Sequence, residues 1–256
     1  MVRLSVVIIT LNEERNIRRC LESVKDIAEE IIVVDSGSTD STRQICEQFQ
    51  VRFITHPFKG HIEQKNFALS QAAQEYVLAL DADEEVSPQL KQSIQLIIQQ
   101  GFPAGGYRFN RLSNYCGTWI KHGSWYPDTK LRLVKKSAAR WGGINPHDKL
   151  ELGEGLADSW IEGDLYHYSY YSVDEHIRKL DYFSTLAAKA YLTRGKNAGL
   201  FRILVRPCFA FFRDYVLRAG FLDGFAGYQI ARLTAWYTFL KYVKLREYQS
   251  RKTPTH

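Results

Sequence analysis

The sequence is poor in cysteine and has no long apolar run. Its four cysteines stand far apart and form no CxxC pair, so no disulfide framework is indicated and we expect a reducing compartment. No uncharged apolar stretch approaches the ~20 residues that span a bilayer. The apolar run at residues 4–11 is short, has no cleavage site behind it, and predicts a buried strand instead of a signal peptide. We therefore expect a cytoplasmic protein.

Other signatures are missing as well. No segment matches GxxxxGKS, GxxxxGKT or GxGxxG, so the sequence lacks the main signatures of P-loop and dinucleotide-binding proteins. The 256 residues contain no internal repeat; 45% are hydrophobic and 24% are charged, the balance of a soluble globular protein. This composition excludes a disordered chain, a collagen-like repeat and a polytopic membrane protein. The length fits one or two domains.

The positive charge is concentrated at one end of the chain. The formal net charge is +6, from 34 Lys and Arg against 28 Asp and Glu. Residues 176–256 hold 15 of these cations and 4 of the acids, a net +11, which leaves −5 for residues 1–175. A basic C-terminal part joined to a mildly acidic body indicates that this part meets an anionic partner.

Short β-branched apolar runs alternate with helix-like segments in the first hundred residues. Four runs have the pattern of strands covered on both faces, at residues 4–10, 30–36, 51–55 and 76–81. Helices are predicted at residues 14–25, 41–50, 61–73 and 88–100. The alternation predicts an α/β fold with a mostly parallel, Rossmann-like sheet and helices on both faces.

The pattern changes after a Gly/Pro break at residues 101–106. Residues 107–168 have the pattern of short strands and turns rich in Trp, Tyr and Gly. Helices are predicted again at about residues 173–194, 200–218 and 224–246, with a linker at 193–199. A parallel α/β sheet binds its ligands outside the carboxyl ends of the strands, so the candidate site residues are sought there.

Acidic side chains follow three of the predicted strands. Asn12 and Glu13 end the first strand, Asp35 ends the second, and Asp81-Ala82-Asp83 ends the fourth. Residues i and i+2 of a strand point to the same side, so Asp81 and Asp83 can direct two carboxylates at one point. Such a pair suits a hard divalent cation that keeps positions for phosphate oxygens. Acids at strand ends also serve as turn and cap residues, and a lone DxD does not separate these interpretations.

The segments SVVIITLNEERNI, EEIIVVDSGSTDST and YVLALDADEEVSP, in this order, resemble the nucleotide-binding half of family 2 glycosyltransferases with the GT-A fold. The resemblance is close over residues 4–90 and less specific through YPDTKLRLVKK and INPHDKL. The combination is similar to the lipopolysaccharide core β-1,4-glucosyltransferases. It implies a catalytic domain at 1–195, made of a nucleotide-sugar-binding half (1–100) and an acceptor-side insert (101–172), followed by a helical extension at 196–256.

The resemblance implies a set of residues around a UDP-sugar. Asp35 matches a residue that hydrogen-bonds the uracil, and Lys65 would supply a cation near the diphosphate, although an exposed helix lysine is an equal interpretation. Asp81 is implied near the ribose and the metal. The whole nucleotide-sugar-binding set is Thr10, Asn12, Glu13, Asp35, Lys65, Asn66, Asp81, Ala82 and Asp83.

A divalent metal, Mg²⁺ or Mn²⁺, is implied by the same resemblance. Asp83 is the implied direct ligand, with Asp81 beside it and His147 as a candidate third ligand. A lone histidine is as readily structural, so the role of His147 stays open. Bound at the diphosphate, the ion would stabilise the leaving group as a Lewis acid.

Two carboxylates are candidates for the catalytic base. Asp128 follows the strand-rich insert where related enzymes present an acid to the acceptor, although this chain has Pro-Asp where Glu-Asp is common. Asp148, in Pro146-His147-Asp148, is the rival. A base must reach the attacking hydroxyl to take its proton, and one direct displacement inverts the anomeric centre.

Cations in the insert admit two interpretations. Arg132, Lys135 and Lys136 would suit a phosphorylated acceptor, or they could line a solvated strand edge. Both interpretations expect these side chains to be accessible.

The C-terminal part combines arginines with aromatic residues. Residues 200–248 contain 13 aromatics, and basic amphipathic helices with aromatics bind membrane interfaces. Helices packed on the catalytic domain, with arginine stems over apolar surface, would give the same composition. No motif supports nucleic acid as the partner. We expect the partner of this part to be an anionic membrane surface, at the cytoplasmic face of the inner membrane.

The resemblance implies an inverting hexosyltransferase that moves glucose from UDP-glucose to a lipopolysaccharide inner-core acceptor. Alternatives are transfer to a polyprenyl phosphate or another cell-envelope glycan, and a catalytically silent nucleotide-sugar-binding or membrane-scaffold protein. Asp35, Asp81 and Asp83 are all present, which argues against a silent protein. The pattern does not indicate an oligomeric state.

Overall fold

The computed structural model describes residues 3–145 and 147–252, without the side chains of Ile144, His147 and Lys252. The chain divides into two compact units. The first consists of Met1–Arg111 and Asp128–Tyr168, and the second of Leu112–Pro127 and Ser169–His256. The predicted boundary at residue 195 lies inside the second unit, and the division into 1–195 and 196–256 stays a prediction.

The strands in the described residues form one nine-stranded sheet and a separate two-stranded hairpin. Its path in the described residues is β3-β2-β1-β4-β8-β6-β11-β5, with β7 paired to β6, while β9 and β10 form the hairpin. The strands are β1 Leu4–Thr10, β2 Glu30–Asp35, β3 Val51–Thr55, β4 Tyr76–Asp81, β5 Glu84–Val86, β6 Gly106–Tyr115, β7 Thr118–Trp119, β8 Thr129–Lys135, β9 Ala139–Ile144, β10 His147–Leu152 and β11 Asp158–Tyr170.

Nine strands thus belong to one mixed sheet in the described part of the chain. The parallel strands of this sheet determine where the predicted site residues lie. β1 pairs in parallel with β2 on one side and β4 on the other. In this register Thr10 lies opposite Asp35, and Ile9 lies opposite Asp81. The carboxyl ends of the three strands therefore meet at one edge. β4 pairs with β8 antiparallel, which brings the insert beside the same strand.

Four helices cover the two faces of this sheet. They are α1 Ile17–Val24, α2 Thr42–Cys46, α3 His61–Gln71 and α4 Pro88–Gln99. Because side chains alternate along a strand, Val6 and Ile8 pack with residues of α1 and α4 in one apolar cluster, while Val7 packs with residues of α3 in another. The predicted α/β fold with helices on both faces of the sheet is confirmed. The sheet is mixed where a mostly parallel one was expected, because β1–β4 pair in parallel while the strands of the insert add to them antiparallel.

The boundaries of these elements follow local chemistry. Strands β1, β3 and β4 begin and end where the apolar runs predict, and β2 ends one residue earlier. At the start of α4 the Ser87 hydroxyl accepts from Leu90 N, and Pro88 occupies the first helical turn, where a missing N–H costs nothing. The helix predicted at 41–50 is shorter than expected, since α2 covers only five residues.

The second unit is mainly helical. It contains α5 Val173–Thr193, α6 Leu200–Phe212 and α7 Gly224–Lys252, with a π-helical turn at Arg213–Leu217 and a 3₁₀ turn at Gly220–Asp223 between the last two. α7 packs against α5 and α6, with Tyr242 and Leu245 buried among their side chains. Of the helices in the described residues, none is both long and apolar enough to cross a membrane.

Candidate active site

Hydrogen bonds tie together the two loops that follow β1 and β2. The side-chain oxygen of Asn12 accepts from Thr39 N at 2.8 Å, and Asn12 N donates to Ser38 Oγ at 2.8 Å. Asn12 has a φ of 55°, a left-handed conformation that asparagine tolerates. Glu13 N adds a third link by donating to Thr42 Oγ1 at 2.8 Å. The predicted residues Asn12 and Glu13 therefore build the rim of this sheet edge.

Asp35 is buried at the end of β2 and holds the loop behind it. Its Oδ2 accepts from Gly37 N and Ser38 N, both at 2.9 Å, and its Oδ1 accepts from the Ser38 hydroxyl. Gly37 has a φ of 98°, which glycine adopts without strain. Opposite Asp35, the buried Oγ1 of Thr10 has no hydrogen-bond partner among the described atoms. The two predicted residues thus lie side by side at the edge.

Lys65 joins Asp81 to Asp148. Its Nζ lies 3.1 Å from Asp81 Oδ1 and 2.8 Å from Asp148 Oδ2. The ammonium also lies 4.5 Å from the centre of the Trp141 ring, a favourable cation–π contact. Lys65 is buried, so the interpretation as an exposed helix lysine is wrong.

The Arg132 side chain is also buried, although the sequence pattern predicts that it is accessible. Its Nη2 donates to Asp81 Oδ2 at 3.1 Å and to Glu84 Oε1 at 2.9 Å. Burial alone would raise the pKa of Asp81, but the charges of Lys65 and Arg132 outweigh that effect and hold the pKa well below its ordinary value. The expectation of an accessible Arg132 is corrected: strand pairing between β4 and β8 turns it toward the acids of the site.

These contacts continue as one chain of alternating charges. Arg111 Nη1 lies 3.5 Å from Glu84 Oε1, while Arg111 Nε and Nη2 lie 2.9 and 2.8 Å from Asp128 Oδ2. Lys130 Nζ lies 2.8 Å from Asp128 Oδ1. Four acids and four cations alternate, and we call them the ion-pair chain: Asp148, Lys65, Asp81, Arg132, Glu84, Arg111, Asp128 and Lys130. It connects both candidate bases with the acidic end of β4.

Asp83 meets a histidine that the sequence did not single out. Its Oδ2 lies 3.3 Å from His167 Nε2, and its backbone oxygen accepts from Tyr168 N at 3.0 Å. The pairing of β11 with β5 sets His167 opposite Glu84, which explains the approach. A single histidine among tyrosines gave no local signal, because the two residues are far apart in the chain.

Tyr168 fastens β11 beside this acidic segment. Its hydroxyl donates to Glu85 Oε2 at 2.7 Å, and the Arg19 guanidinium lies 3.6 Å from the centre of its ring. Burial, and then the hydrogen bond to Glu85, raise the pKa of Tyr168 to about 12. The neutral phenol therefore keeps donating, and it helps to hold the adjacent His167 next to Asp83.

Two further predicted residues make contacts inside the fold. The Asn66 side chain donates to Trp141 O at 2.9 Å and accepts from Trp141 N at 3.0 Å, so it attaches α3 to β9. Ala82 is buried, and its N donates to Ile9 O at 3.1 Å. Both residues support the walls of the site, and their contact with a ligand stays a prediction.

The predicted metal ligands Asp81 and Asp83 contact different partners. No group of three or more His, Cys, Asp or Glu side chains that could hold an ion converges within the residues described. The His147 side chain lies outside the described part, so its predicted role as a ligand is not addressed. Asp81 is enclosed by Lys65 and Arg132, while Asp83 and His167 present one carboxylate oxygen and one imidazole nitrogen to each other.

The sequence of residues 5–149 matches the model of "Glycosyl transferase family 2". The chain belongs to this family. Its residues 5–149 cover β1 to β9 and reach Asp148, so the family match includes every acid of the ion-pair chain. The predicted family membership, and with it a sugar-transferring enzyme, is confirmed.

Relatives in the family extend over nearly the whole chain. An uncharacterized glycosyltransferase of Rickettsia typhi is 34% identical over 96% of this chain and 88% of its own. The lipopolysaccharide core biosynthesis glycosyltransferase LpsC of Rhizobium meliloti is 30% identical over 94% of this chain and 91% of its own. The crystal structure of S. aureus TarS residues 1–349 with UDP superposes with a TM-score of 0.48, at 16% identity, over 99% of this chain and 93% of that one.

Proposed function

We propose that this family 2 enzyme transfers a hexose, glucose from UDP-glucose, to a lipopolysaccharide inner-core acceptor with inversion at the anomeric carbon. The observation that carries the proposal is the shared edge of β1, β2 and β4, where Thr10, Asp35, Asp81 and Asp83 collect. Ligands of parallel α/β sheets bind at such an edge. The similarity to LpsC along both chains supports the acceptor class.

The donor's nucleotide would lie between the loops after β1 and β2. Asp35 Oδ1 accepts from the Ser38 hydroxyl, and a carboxylate oxygen can accept a second hydrogen bond, here from a uracil N–H. Lys65 would direct its ammonium to the diphosphate. Because Lys65 already pairs with Asp81 and Asp148, its position is set before the donor arrives, which limits the ordering cost of binding.

A divalent ion would be held by Asp83 and His167. A carboxylate oxygen and an imidazole nitrogen 3.3 Å apart form a mixed set that suits Mn²⁺ better than Mg²⁺, which prefers oxygen. Asp81 fits this role less well, since Lys65 and Arg132 already compensate its charge. When bound, the ion supplies Lewis-acid stabilisation of the UDP leaving group.

Asp128 is the proposed base. Its side chain is 28% exposed, against 13% for Asp148, and Arg111 fixes Oδ2 from one side. Oδ1 pairs with Lys130, and this long side chain can move aside so that an acceptor hydroxyl reaches Oδ1. Asp128 Oδ1 then takes the hydroxyl proton as the oxygen bonds to the anomeric carbon, and the electron pair of the broken C–O bond leaves with UDP.

The acceptor in this proposal is anchored in lipid, so transfer would take place at the cytoplasmic face of the inner membrane. The test is incubation of the purified protein with UDP-glucose, UDP-galactose and other nucleotide sugars, with Mn²⁺, Mg²⁺ or chelator. Truncated lipopolysaccharide core and a polyprenyl phosphate serve as alternative acceptors, and mass spectrometry identifies the product. Glucose on the core supports the proposal.

Two other outcomes of this test would contradict the proposal. Transfer only to the polyprenyl phosphate would replace the acceptor class. Failure to transfer or hydrolyse any of these nucleotide sugars, by a protein that is folded by circular dichroism, would contradict the proposed donor.

A further inference from the structure

Exposed apolar side chains are concentrated in one stretch of the second unit. In most soluble proteins large apolar side chains at the surface are scattered singly. Here, 12 of the 22 large apolar side chains that are exposed in the described residues fall between positions 200 and 228. They are Leu200, Phe201, Leu204, Val205, Phe209, Phe212, Val216, Leu217, Phe221, Leu222, Phe225 and Tyr228.

Helix α6 shows this surface most clearly. Ile203 and Ala210 are its buried residues, and they face the other helices of the unit. On the opposite side, by helical periodicity, Phe201 is 71% exposed and Phe212 is 48% exposed. On the two flanks, Leu204 is 63% exposed and Phe209 is 57% exposed. A surface helix of a soluble domain normally carries polar residues on its outer side. The outer side of α6 is therefore apolar without an internal partner to explain it.

The charges along the same stretch have one sign at the surface. Arg202, Arg206, Arg213 and Arg218 are its cations. Its two acids are withdrawn: the Asp214 side chain is 2% exposed and the Asp223 side chain 5% exposed. The accessible charge around the apolar side chains is consequently positive.

Contacts inside the unit explain why both acids are withdrawn. Asp214 Oδ1 accepts from Arg213 Nε at 2.6 Å and from the Ser124 hydroxyl. Asp223 Oδ2 accepts from His122 N at 2.9 Å, and its Oδ1 lies 2.8 Å from His122 Nδ1. The acids thus attach the turns after α6 to the loop at residues 121–124, and they leave the outer surface without negative charge.

Two arginines converge beside this surface. Arg218 Nη1 lies 3.0 Å from Ser124 Oγ, and Arg213 Nη2 lies 3.5 Å from the same oxygen. Both guanidinium groups therefore occupy one small region just after the end of α6. Paired guanidinium groups are well suited to a phosphate, and phosphate headgroups lie directly above the apolar layer of a bilayer.

We propose that residues 200–228 form a docking surface for an anionic lipid bilayer. The apolar side chains of α6 and of the two following turns enter the interface, and the arginines lie at the level of the headgroups. A second copy of this chain fits less well, because an isologous contact would set cations against cations. The surface is narrower than the predicted 196–256 extension, since Ile230, Ala231 and Ala235 of α7 are buried.

The proposal deepens the proposed function by naming where the enzyme meets a membrane-held acceptor, but binding to the bilayer does not require transfer. The test is flotation of the full-length protein with vesicles of phosphatidylcholine, with and without phosphatidylglycerol. We compare the wild type with the double variant Leu204→Glu and Phe209→Glu. The matched control is Leu96→Glu, which changes a 56% exposed leucine on α4 of the first unit.

We expect the wild type and Leu96→Glu to float with phosphatidylglycerol vesicles, and the double variant to lose about tenfold or more in partition. Added salt weakens the wild-type binding. Equal flotation of the double variant, or no flotation of the wild type, overturns the proposal. A wild-type dimer that the double substitution converts to a monomer, with no vesicle binding by either, identifies a subunit interface instead and also overturns it.

A second measurement separates this proposal from the proposed function. UDP release with a soluble, lipid-free acceptor fragment should be the same for the wild type and the double variant, because Leu204 and Phe209 lie outside the acidic site. Loss of vesicle binding with retained UDP release supports docking. Vesicle binding by a protein that releases no UDP would leave the docking surface supported and contradict the proposed function.

Discussion

At the scale of residues, the acids of the site are held by cations before any ligand is present. Lys65 lies between Asp81 and Asp148, and Arg111 reaches both Glu84 and Asp128. Breaking a buried pair leaves an uncompensated charge, whereas an exposed pair contributes little. The ion-pair chain therefore fixes the orientation of the reactive carboxylates, and its members can be tested separately.

Replacing the proposed base should remove turnover without unfolding the protein. We expect Asp128→Asn to lower kcat by about 10²–10⁴-fold, because an amide cannot take the proton. Asp148→Asn should affect turnover less, and Asp158→Asn, which removes a pair with Arg108, serves as the surface control. The measurement is steady-state UDP release, with circular dichroism to verify folding. Near-wild-type turnover of Asp128→Asn would show that the base assignment is wrong.

Replacing the buried cation should lower stability. Arg132→Met leaves Asp81 and Glu84 with less compensation, and we expect the free energy of unfolding to fall by about 3–5 kcal/mol. Arg108→Met removes a half-exposed pair with Asp158 and should cost less than about 1 kcal/mol. Urea unfolding measures both. Equal losses in the two variants would contradict a structural role for the ion-pair chain.

At the scale of elements, the approach of β11 to α4 depends on one glycine. Gly163 has a φ of +103°, and a Cβ there would lie 2.3 Å from Leu90 N and 2.5 Å from Leu90 Cα. Neither backbone atom can move without displacing the start of α4. The same strand carries His167 and Tyr168 to the acidic segment, so packing at Gly163 contributes to the geometry of the site.

Gly163→Ala should therefore lower the stability of the protein by more than backbone strain alone would. The control is Gly155→Ala, where φ is +82° and a Cβ meets nothing within 4 Å. We expect Gly155→Ala to cost about 1 kcal/mol from the left-handed conformation, and Gly163→Ala to cost clearly more because the clash is added. Thermal unfolding of the two variants measures the difference. Similar melting temperatures would mean that α4 shifts to accommodate the methyl group.

At the scale of the whole molecule, ligand binding should appear as stability. A ligand that binds only the folded protein raises its stability with occupancy. UDP with Mn²⁺ should raise Tm more than UDP alone, and Asp83→Asn and His167→Gln should each abolish the Mn²⁺-dependent increment. A matched variant, Asp26→Asn, changes an exposed acid paired with Lys91 and should keep it. An unchanged increment in both site variants would rule out Asp83 and His167 as the ligands.

Much of the first unit could be predicted because its signals are local. The apolar runs of β1, β3 and β4 give their limits, and the parallel order brings Asp35 and Asp81 to one edge. The partners of those acids could not be predicted in the same way. Arg132 faces Asp81 only because β8 pairs with β4, and His167 meets Asp83 only because β11 pairs with β5.

The sequence by itself therefore determined the fold class and the acidic strand ends, since periodicity and turn chemistry act over about ten residues. The motifs at those strand ends carried the resemblance to the family. Tertiary structure alone decided which cations hold Asp81 and Asp128, which histidine meets Asp83, and which side of α6 is exposed. These contacts join residues that are distant in the chain, and strand pairing and helix packing select among many partners that local patterns leave equivalent.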